Sequence, residues 1–320
     1  MNDTLVKFND AYLLTPFGLY NNSIICYFNS LLQALFGCTS INEYLLNNQK
    51  KFINNNFIKL YINILKNYIL INNTKEQSIY SVEQSNLILF NEFLILLKNK
   101  NLHFGYNQED SGELLLLLLD IINDEYIYNL FYHKYKCDIY CKSCKNIVNI
   151  KDDISVQFEI DNKSINSKFL KSNLNKNLNN LNKYIRNNYS ECTDYICQKC
   201  KKNNSCIKIN RLLLTPTVIV LNFNKYAEKS LYNYPLELFF INTDKNKKFN
   251  YKLISSIHHS GNNNFGHYVT KSMRKVVENN DIQNNIYLLN DTSYQTDSFK
   301  PDKDSYILFY HYVESIDYFE

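Results

Sequence analysis

Tryptophan is absent from this sequence of 320 residues, and glycine and proline are scarce, with 6 and 4 copies. Asparagine, isoleucine, lysine and tyrosine are heavily used, and we interpret this bias as drift in surface composition that carries no information on function. No apolar run reaches the roughly 18 residues that a bilayer-spanning helix needs, and the longest is Leu114–Leu119. The sequence therefore predicts no membrane partner.

The first ten residues, MNDTLVKFND, contain no apolar segment, so the sequence predicts no export signal. Nine cysteines, an odd number, include two pairs with C-x-x-C spacing. This combination is typical of thiol and metal chemistry in a reducing compartment and not of a disulfide framework. We expect an intracellular protein that works in the cytoplasm, the nucleus or both.

Blocks of like charge are missing too. The 35 basic and 31 acidic residues are spread along the chain and give a formal net charge of +4. Proteins that track nucleic-acid phosphates carry clustered lysine and arginine, so the sequence predicts no nucleic-acid partner. Hydrophobic residues make up 45% of the chain, which is too many for a disordered protein and enough for a sizeable core.

The first 130 residues show helical periodicity. Apolar residues recur at spacings of three and four after Cys26, at Phe28, Leu31, Leu32, Leu35 and Phe36. Asn22 or Ser23 is predicted to cap this helix, which would place Cys26 in its first turn. Two further helices are predicted over Phe57–Ile71 and Asn86–Leu97.

Another helix start is predicted at Asp110, because Asp110 and Glu113 have the spacing of a capping box ahead of a leucine-rich run. From about Tyr126 the pattern changes to short strands, interrupted by an amphipathic helix predicted within Phe169–Asn187. The last segments are rich in valine, isoleucine and tyrosine and fit an antiparallel sheet. Helices followed by strands predict an α+β fold.

Two C-x-x-C pairs, Cys141–Cys144 and Cys197–Cys200, are separated by 52 residues. Two such knuckles supply four thiolates with tetrahedral geometry, the donor set that structural Zn²⁺ prefers, and four protein ligands leave no position for water. The sequence therefore predicts one structural Zn²⁺ per chain. The alternative is four ordinary reduced cysteines, and a redox role would need only one pair. The remaining cysteines nearby, spare ligands without knuckle spacing, are Cys137, Cys192 and Cys206.

Cys26 has two interpretations on the local pattern alone. A thiolate in the first turn of a helix is stabilised by the helix dipole and by N–H groups that can also hold an oxyanion, to which Asn21 could add a side-chain donor. The alternative is a buried apolar cysteine. His267 follows a glycine-containing loop and is a candidate base, and Asn290 and Asp291 end the next apolar run, where they would orient His267 or form a turn.

These motifs together resemble the ubiquitin-specific proteases, papain-like cysteine peptidases that remove ubiquitin. The residues in register with the cysteine box of that family are Gly18, Leu19, Asn21, Cys26, Tyr27, Asn29, Ser30, Leu32 and Gln33. The residues similar to its second box are Gln108, Asp110, Glu113 and Leu114. Its histidine box resembles the segment that ends Gly266-His267-Tyr268, and its zinc knuckles fall where the two C-x-x-C pairs stand.

The resemblance implies a papain-like α+β fold and a role for each matching residue. Cys26 would be the nucleophile and His267 the general base. Asn290 falls at the third catalytic position, Asp291 matches the acidic residue after it, and Asn21 matches the oxyanion-hole asparagine.

The resemblance also implies a substrate and a division of the chain. Gln108 and Asp110 match positions that line the channel for the ubiquitin tail, and Asp110 could pair with an arginine of that tail. A helical thumb is expected over 1–127, zinc-stapled β fingers over 128–215 and a sheet palm over 216–320. We expect a monomeric deubiquitinating thiol protease that binds ubiquitin and ubiquitinated proteins.

The chain departs from the family pattern just before the nucleophile, where Ser23-Ile24-Ile25 replaces Gly-Asn-Thr. The 23 residues from His267 to Asn290 also indicate an extended hairpin. Two alternatives follow: a catalytically weak or inactive ubiquitin-binding module, or a peptidase for a ubiquitin-like modifier.

Overall fold

The computed structural model describes residues 7–8, 11–12, 14–21, 24–70, 77–99, 108–150, 152–161, 187–192, 195–203, 205–224, 234–242, 246–262, 265–278 and 281–317. The caps predicted at Asn22 and Ser23 lie outside these residues, as does the helix predicted within Phe169–Asn187 except for Asn187, which begins a strand. No helix in the described ranges is long and apolar enough to cross a membrane.

Helices dominate the first part of the described chain, as the sequence predicts, and a short 3-10 turn over Gln49–Phe52 separates two of them. The α-helices are α1 (Cys26–Phe36), α2 (Thr39–Asn47), α3 (Asn56–Leu70), α4 (Gln77–Asn99), α5 (Ser111–Ile122) and α6 (Glu125–Phe131). The side chain of Asp110 accepts hydrogen bonds from the N–H groups of Gly112 and Glu113 at 2.7 and 2.9 Å, so the predicted cap of α5 is confirmed.

Strands make up most of the remainder. They are β1 (Lys7–Phe8), β2 (Ala11–Tyr12), β3 (His133–Cys141), β4 (Ile147–Asn149), β5 (Asp153–Ser155), β6 (Gln157–Asp161), β7 (Asn187–Cys192), β8 (Cys206–Leu214), β9 (Val218–Asn224), β10 (Glu237–Asn242), β11 (Lys247–Gly261), β12 (Gly266–Glu278), β13 (Asp281–Asn290), β14 (Ser293–Thr296) and β15 (Ser305–Asp317). The α+β class predicted from the sequence is confirmed.

The chain forms two compact units. The first contains Met1–Ile127, Lys225–Leu231 and Ile254–Phe309. Its strands follow the order β14-β13-β12-β11-β15, and β12 and β13 pair antiparallel from Thr270↔Leu289 to Glu278↔Asp281, which accounts for the long spacing between His267 and Asn290. Every residue of α1 is buried, because α1 packs on β12 on one side and its aromatic side chains pack against α4 on another.

Buried polar side chains fix α1 against the sheet of the first unit. The Thr270 hydroxyl donates to the carbonyl oxygen of Ser30 at 2.7 Å, and the Ser255 hydroxyl donates to that of Ala34 at 3.2 Å. The Arg274 guanidinium donates to the backbone and side-chain oxygens of Gln33 at 3.0 and 2.8 Å. Because α1 begins at Cys26 and β12 contains His267, these bonds hold the two residues in one frame.

The second unit contains Tyr128–Asn224, Tyr232–Leu253 and Tyr310–Glu320. One of its sheets carries the two C-x-x-C pairs: β3 pairs antiparallel with β4, β5 and β8, and β7 pairs with β8. This unit also contains β10, which is antiparallel to the first part of β11, and β6, which runs parallel to β9. The antiparallel pairing predicted for the last strands is confirmed by the pairs β10–β11, β11–β12, β12–β13 and β13–β14. The division into thumb, fingers and palm stays a prediction.

The Thr270 hydrogen bond gives a stability prediction. Thr270→Val keeps the shape of a fully buried side chain but removes its donor to Ser30, so the free energy of unfolding should fall by about 1 kcal/mol. Urea unfolding followed by circular dichroism measures this change. Thr296→Val, on the exposed strand β14, is the matched control and should change stability by less than about 0.5 kcal/mol. Equal effects of the two substitutions would contradict the prediction.

Candidate active site and metal centre

Cys26 is the first residue of α1, with Ile25 at the N-cap position and no side-chain cap. Its side chain is 3% exposed. Unpaired N–H groups and the positive end of the helix dipole favour a thiolate at this position. The carbonyl oxygen of Ile25 accepts a hydrogen bond from the N–H of Asn29 at 2.9 Å, so Cys26 lies within the first hydrogen-bonded turn of α1.

His267 lies between Cys26 and Asn290. Its Nε2 is 2.7 Å from Oδ1 of Asn290, and the Cys26 side chain is close enough to raise the pKa of its ring. An amide oxygen only accepts, so Nε2 carries the proton in that contact and Nδ1 is the nitrogen left for the thiol. The strand pairing predicted between the two runs is present, and it brings His267 and Asn290 together.

The surroundings of His267 raise its pKa to about 9. The hydrogen bond with Cys26 is the largest cause, the hydrogen bond with Asn290 adds to it, and the nearby charges of Cys26 and Asp291 contribute further. Partial burial acts in the opposite direction. The imidazole is therefore protonated over a wider pH range than an ordinary histidine, which is the state that pairs with a thiolate.

Asp291 is a second anchor of the site. Its carboxylate lies 3.9 Å from Nε2 of His267 and accepts hydrogen bonds from the side-chain amides of Asn21 and Asn29 at 2.8 and 2.9 Å. Its carbonyl oxygen accepts the N–H of Leu19 at 2.7 Å. Asp291 thus connects the segment before α1 to the end of β13, and the interpretation of this residue as only a turn is insufficient.

Two backbone features make this connection possible. Asp291 adopts a left-handed conformation, with φ of 46°, which aspartate tolerates better than most residues. Gly18 packs against Thr292, the residue after Asp291. A Cβ on Gly18 would be 2.2 Å from the carbonyl oxygen of Thr292. Only glycine permits this approach.

Asn21 occupies a different position from the one that a simple oxyanion donor would take. Its Nδ2 donates to Asp291 at 2.8 Å and its Oδ1 accepts the N–H of Ile25 at 3.1 Å. Both ends of the amide therefore order the segment that precedes the nucleophile. Its role at the oxyanion stays a prediction.

The two residues predicted to bind substrate both lie in the first unit. Gln108 donates from Nε2 to Sγ of Cys26 at 3.9 Å and accepts from the N–H of Gly266 through Oε1 at 2.7 Å. Asp110 caps α5 with one carboxylate oxygen and accepts the Tyr306 hydroxyl with the other. The structure therefore places Gln108 beside the sulfur of Cys26, and its role in a substrate channel stays a prediction.

Two asparagines of the site were missed by sequence reasoning as functional residues. Asn29 stands in the cysteine box, which is the signal that could have identified it, and it holds Asp291. Asn86, fully buried on α4, donates to Oδ1 of Asn29 at 3.2 Å and to the carbonyl oxygen of Tyr20 at 2.9 Å. No local pattern marks Asn86, because its contacts are all distant in sequence.

The four cysteines predicted as metal ligands form one cluster in the second unit. The sulfurs of Cys141, Cys144, Cys197 and Cys200 lie within 4.8 Å of one another. Cys141 and Cys200 are 3.7 Å apart, and Cys144 and Cys197 are 3.6 Å apart. Ligands at about 2.3 Å from a tetrahedral ion would be separated by about 3.8 Å, so the donor set fits a metal ion of this kind.

The two knuckles repeat one backbone turn. The N–H of Lys145 donates to the carbonyl oxygen of Cys141 at 2.9 Å, and the N–H of Lys201 donates to that of Cys197 at the same distance. Both lysines are left-handed, with φ of 61° and 57°. The Ser205 hydroxyl and backbone N–H groups in the first knuckle hold the pKa of Cys141 below its ordinary value, which favours a thiolate ligand.

The other cysteines of the second unit do not join this cluster among the described side chains. Cys206 is buried and packs against the cluster, and its sulfur lies 4.0 Å from the Ser205 hydroxyl. Cys137 is buried on β3, where its thiol contacts the carbonyl oxygen of Tyr135. Cys192 lies opposite Cys206 in the register of β7 and β8, and its side chain is outside the described set.

A buried cysteine at a helix head, a histidine on an adjacent strand and an asparagine that fixes the imidazole define a papain-like cysteine peptidase. The family model of ubiquitin carboxyl-terminal hydrolases matches residues 17–310. The chain belongs to this family, and it is a deubiquitinating protease of the cysteine type. A search of curated proteins gave no match.

Solved structures support the same fold. A chain of the SAGA DUB module of Ubp8, Sgf11, Sus1 and Sgf73 bound to ubiquitin aldehyde is 20% identical, with a TM-score of 0.69 over 93% of this chain and 70% of that chain. The module bound to monoubiquitin gives 20% identity and a TM-score of 0.67, over 93% and 69% of the two chains. A yeast SAGA DUB module is 17% identical, with a TM-score of 0.68 over 93% of this chain and 69% of that chain.

These relatives bear on the expected partners. Two of these structures contain monoubiquitin or ubiquitin aldehyde, and both combine Ubp8 with Sgf11, Sus1 and Sgf73. The expectation of a monomer does not fit relatives that work in a multi-subunit module.

The raised pKa of His267 predicts the alkaline limit of activity. Cleavage needs a protonated imidazole to release the leaving amine, so kcat/KM for a ubiquitin C-terminal amide should fall as the pH rises through about 9. Asp291→Asn removes a negative charge that raises the pKa and should move this limit to lower pH, whatever the level of activity. A pH profile of kcat/KM measures the shift.

The control for this profile is Asp281→Asn, an exposed substitution at the opposite end of β13, which should leave the alkaline limit in place. An alkaline limit near 6.5, the ordinary pKa of histidine, would contradict the assignment of His267.

Proposed function

We propose that Cys26, His267 and Asn290 form the catalytic centre and hydrolyse the bond after the C-terminal glycine of ubiquitin in ubiquitin conjugates. The observation that carries this assignment is the position of His267, whose Nε2 lies 2.7 Å from Oδ1 of Asn290 and whose pKa the neighbouring Cys26 side chain raises. A buried cysteine with only a packing role needs no such neighbours.

Acylation begins when Nδ1 of His267 takes the proton of the Cys26 thiol. The thiolate then attacks the carbonyl carbon of the terminal glycine, a carbon–sulfur bond forms, and the carbonyl oxygen becomes an oxyanion. His267 returns its proton to the nitrogen of the leaving lysine, and the carbon–nitrogen bond breaks. A thioester between ubiquitin and Cys26 remains.

Deacylation uses the same histidine. Its neutral Nδ1 removes a proton from water, the hydroxide attacks the thioester carbonyl, and the carbon–sulfur bond breaks. Throughout the reaction Oδ1 of Asn290 accepts a hydrogen bond from the Nε2–H group of His267, which fixes the tautomer and the plane of the ring. Asp291, 3.9 Å away, stabilises the imidazolium.

The ubiquitin tail is proposed to reach this centre past the head of α5. Glu109, Asp110 and Glu113 lie close together there, and burial and the two neighbouring carboxylates raise the pKa of Glu109. Such a site favours a cationic side chain. One oxygen of Asp110 accepts both cap hydrogen bonds and the other accepts from Tyr306, and each carboxylate oxygen can accept more than one donor.

We further propose that the four-cysteine cluster holds one structural Zn²⁺. Four thiolates select Zn²⁺ over the hard cations, and a closed donor set leaves no position for catalysis. Thiolate ligands and a thiolate nucleophile both require a reducing environment, which supports an intracellular location.

Labelling with a ubiquitin whose C-terminus carries an electrophile tests the nucleophile. The protein should form a covalent adduct at Cys26, whereas Cys26→Ser should form none, and intact-mass and peptide mass spectrometry identify the site. Competing probes built on ubiquitin-like modifiers separate ubiquitin from its relatives.

The matched control for labelling is Cys38→Ser, which alters another buried cysteine close to the same helix. Burial raises the pKa of Cys38 to about 12, so its thiol is inert and the substitution should leave labelling intact. No adduct on the folded wild-type protein, combined with no turnover of a ubiquitin amide, would defeat the assignment.

Metal analysis tests the second proposal. The purified protein should contain about one Zn²⁺ per chain, and Cys141→Ser should lower both the zinc content and the midpoint of thermal unfolding, because binding energy at a structural site contributes to folding. Cys137→Ser, which alters a buried cysteine outside the cluster, should keep the metal. A zinc-free protein that Cys141→Ser leaves equally stable would exclude the site.

A further inference from the structure

Gln108 contacts the reacting sulfur directly. Its Nε2 is 3.9 Å from Sγ of Cys26, and its Oε1 accepts the backbone N–H of Gly266 at 2.7 Å. The side chain therefore bridges the nucleophile and the residue that precedes His267.

The orientation of this amide follows from its partners. A backbone N–H can only donate, so the amide oxygen must face Gly266. The amide nitrogen must then face Cys26. The contact with Gly266 thus removes the usual ambiguity between oxygen and nitrogen in a glutamine side chain and places the amide nitrogen, which carries two N–H hydrogens, on the side of the sulfur.

Both ends of the bridge are held by further contacts. Gln108 precedes by two residues the N-cap Asp110, which accepts two backbone N–H groups and the Tyr306 hydroxyl. At the other end, Gly266 pairs with Gly261 across β11 and β12, and a Cβ on Gly266 would be 2.2 Å from Nε2 of His259, so Gly266 is closely packed. A donor held at both ends needs no rearrangement during the reaction, which is the condition for effective electrostatic stabilisation.

We propose that Nε2 of Gln108 is a donor to the oxyanion that forms on the terminal glycine of ubiquitin, an inference that rests on the proposed function of Cys26. The oxyanion oxygen is two bonds from Sγ, and a donor must lie about 2.7–3.1 Å from it. A nitrogen 3.9 Å from Sγ is placed to meet this distance. Asn21, by contrast, directs its amide nitrogen to Asp291 and its amide oxygen to Ile25.

Two substitutions remove the donor in different ways. Gln108→Glu keeps an oxygen for the N–H of Gly266 but has no N–H of its own, and Gln108→Met keeps the length of the side chain without charge. Both should lower kcat for a ubiquitin C-terminal amide about 100-fold, the usual effect of losing one oxyanion donor, and change KM less than about threefold. A contact made only with the ubiquitin tail would instead raise KM with kcat unchanged.

Ubiquitin aldehyde provides a direct readout of the oxyanion. The aldehyde adds to the thiol and gives a tetrahedral adduct with an oxygen at the oxyanion position, whereas free ubiquitin carries a carboxylate and forms no adduct. The inhibition constant for the aldehyde should rise about 100-fold in both Gln108 variants, and the dissociation constant of free ubiquitin should change less than about threefold. Equal weakening of both ligands would overturn the proposal.

Alkylation by iodoacetamide is the control for a positioning effect. This reaction displaces iodide at a saturated carbon and forms no oxyanion, so its rate at Cys26 reports only on the reactivity and access of the thiolate. The rate should match that of the wild type in the neutral variant Gln108→Met. A fall in step with kcat would show that Gln108 acts on the thiolate and would overturn the proposal.

The behaviour of the wild-type protein distinguishes a failure of the proposed function from a failure of the proposed role of Gln108. A wild type that is alkylated at Cys26 but neither cleaves ubiquitin amides nor binds the aldehyde would refute the proposed function, and the role of Gln108 with it. A wild type that is active while both Gln108 variants keep full kcat would refute the role of Gln108 alone.

Discussion

The carboxylate of Asp291 holds together parts of the chain that are distant in sequence. It accepts hydrogen bonds from Asn29 and Asn21, which stand 262 and 270 positions earlier, and it lies 3.9 Å from the His267 ring. The left-handed backbone at Asp291 is a strained conformation that these contacts maintain. Cys26 and His267 share one frame because this carboxylate is hydrogen-bonded to the segment before α1 and to α1 itself.

Two cysteines close to α1 are both buried but differ in their neighbours. Cys26 and Cys38 are both almost completely buried, and burial alone disfavours a thiolate. Cys38 also stands at the start of a helix, as the N-cap residue of α2, and burial raises its pKa to about 12. Cys26 is the first residue of α1 and lies beside His267. The neighbouring histidine, and not burial or position at a helix start, therefore distinguishes the proposed nucleophile from the packing residue.

Features of the site that depend on neighbours in sequence could be predicted, and features that depend on distant contacts could not. The apolar spacing after Cys26 predicts α1, and the spacing of Asp110 and Glu113 predicts the cap of α5. The C-x-x-C spacing likewise predicts the sulfur cluster. The buried contacts of Asn86 and Arg274 and the parallel pairing of β6 with β9 have no local signal, because each is made by residues brought together only by the fold. The amide of Asn21 is a middle case: its position was predicted from the cysteine box, but its orientation depends on Asp291.

In both C-x-x-C knuckles a lysine follows the second cysteine, at a backbone position that suits glycine. Lys145 and Lys201 both have positive φ, a conformation that costs a residue with a Cβ roughly 1 kcal/mol. A divalent ion with four thiolates keeps a net charge of about −2, and an exposed ammonium next to each second cysteine offsets part of it. Glycine would relieve the backbone at the expense of that charge. The use of lysine in both turns is what a cluster of four thiolates would favour and what four neutral thiols would not.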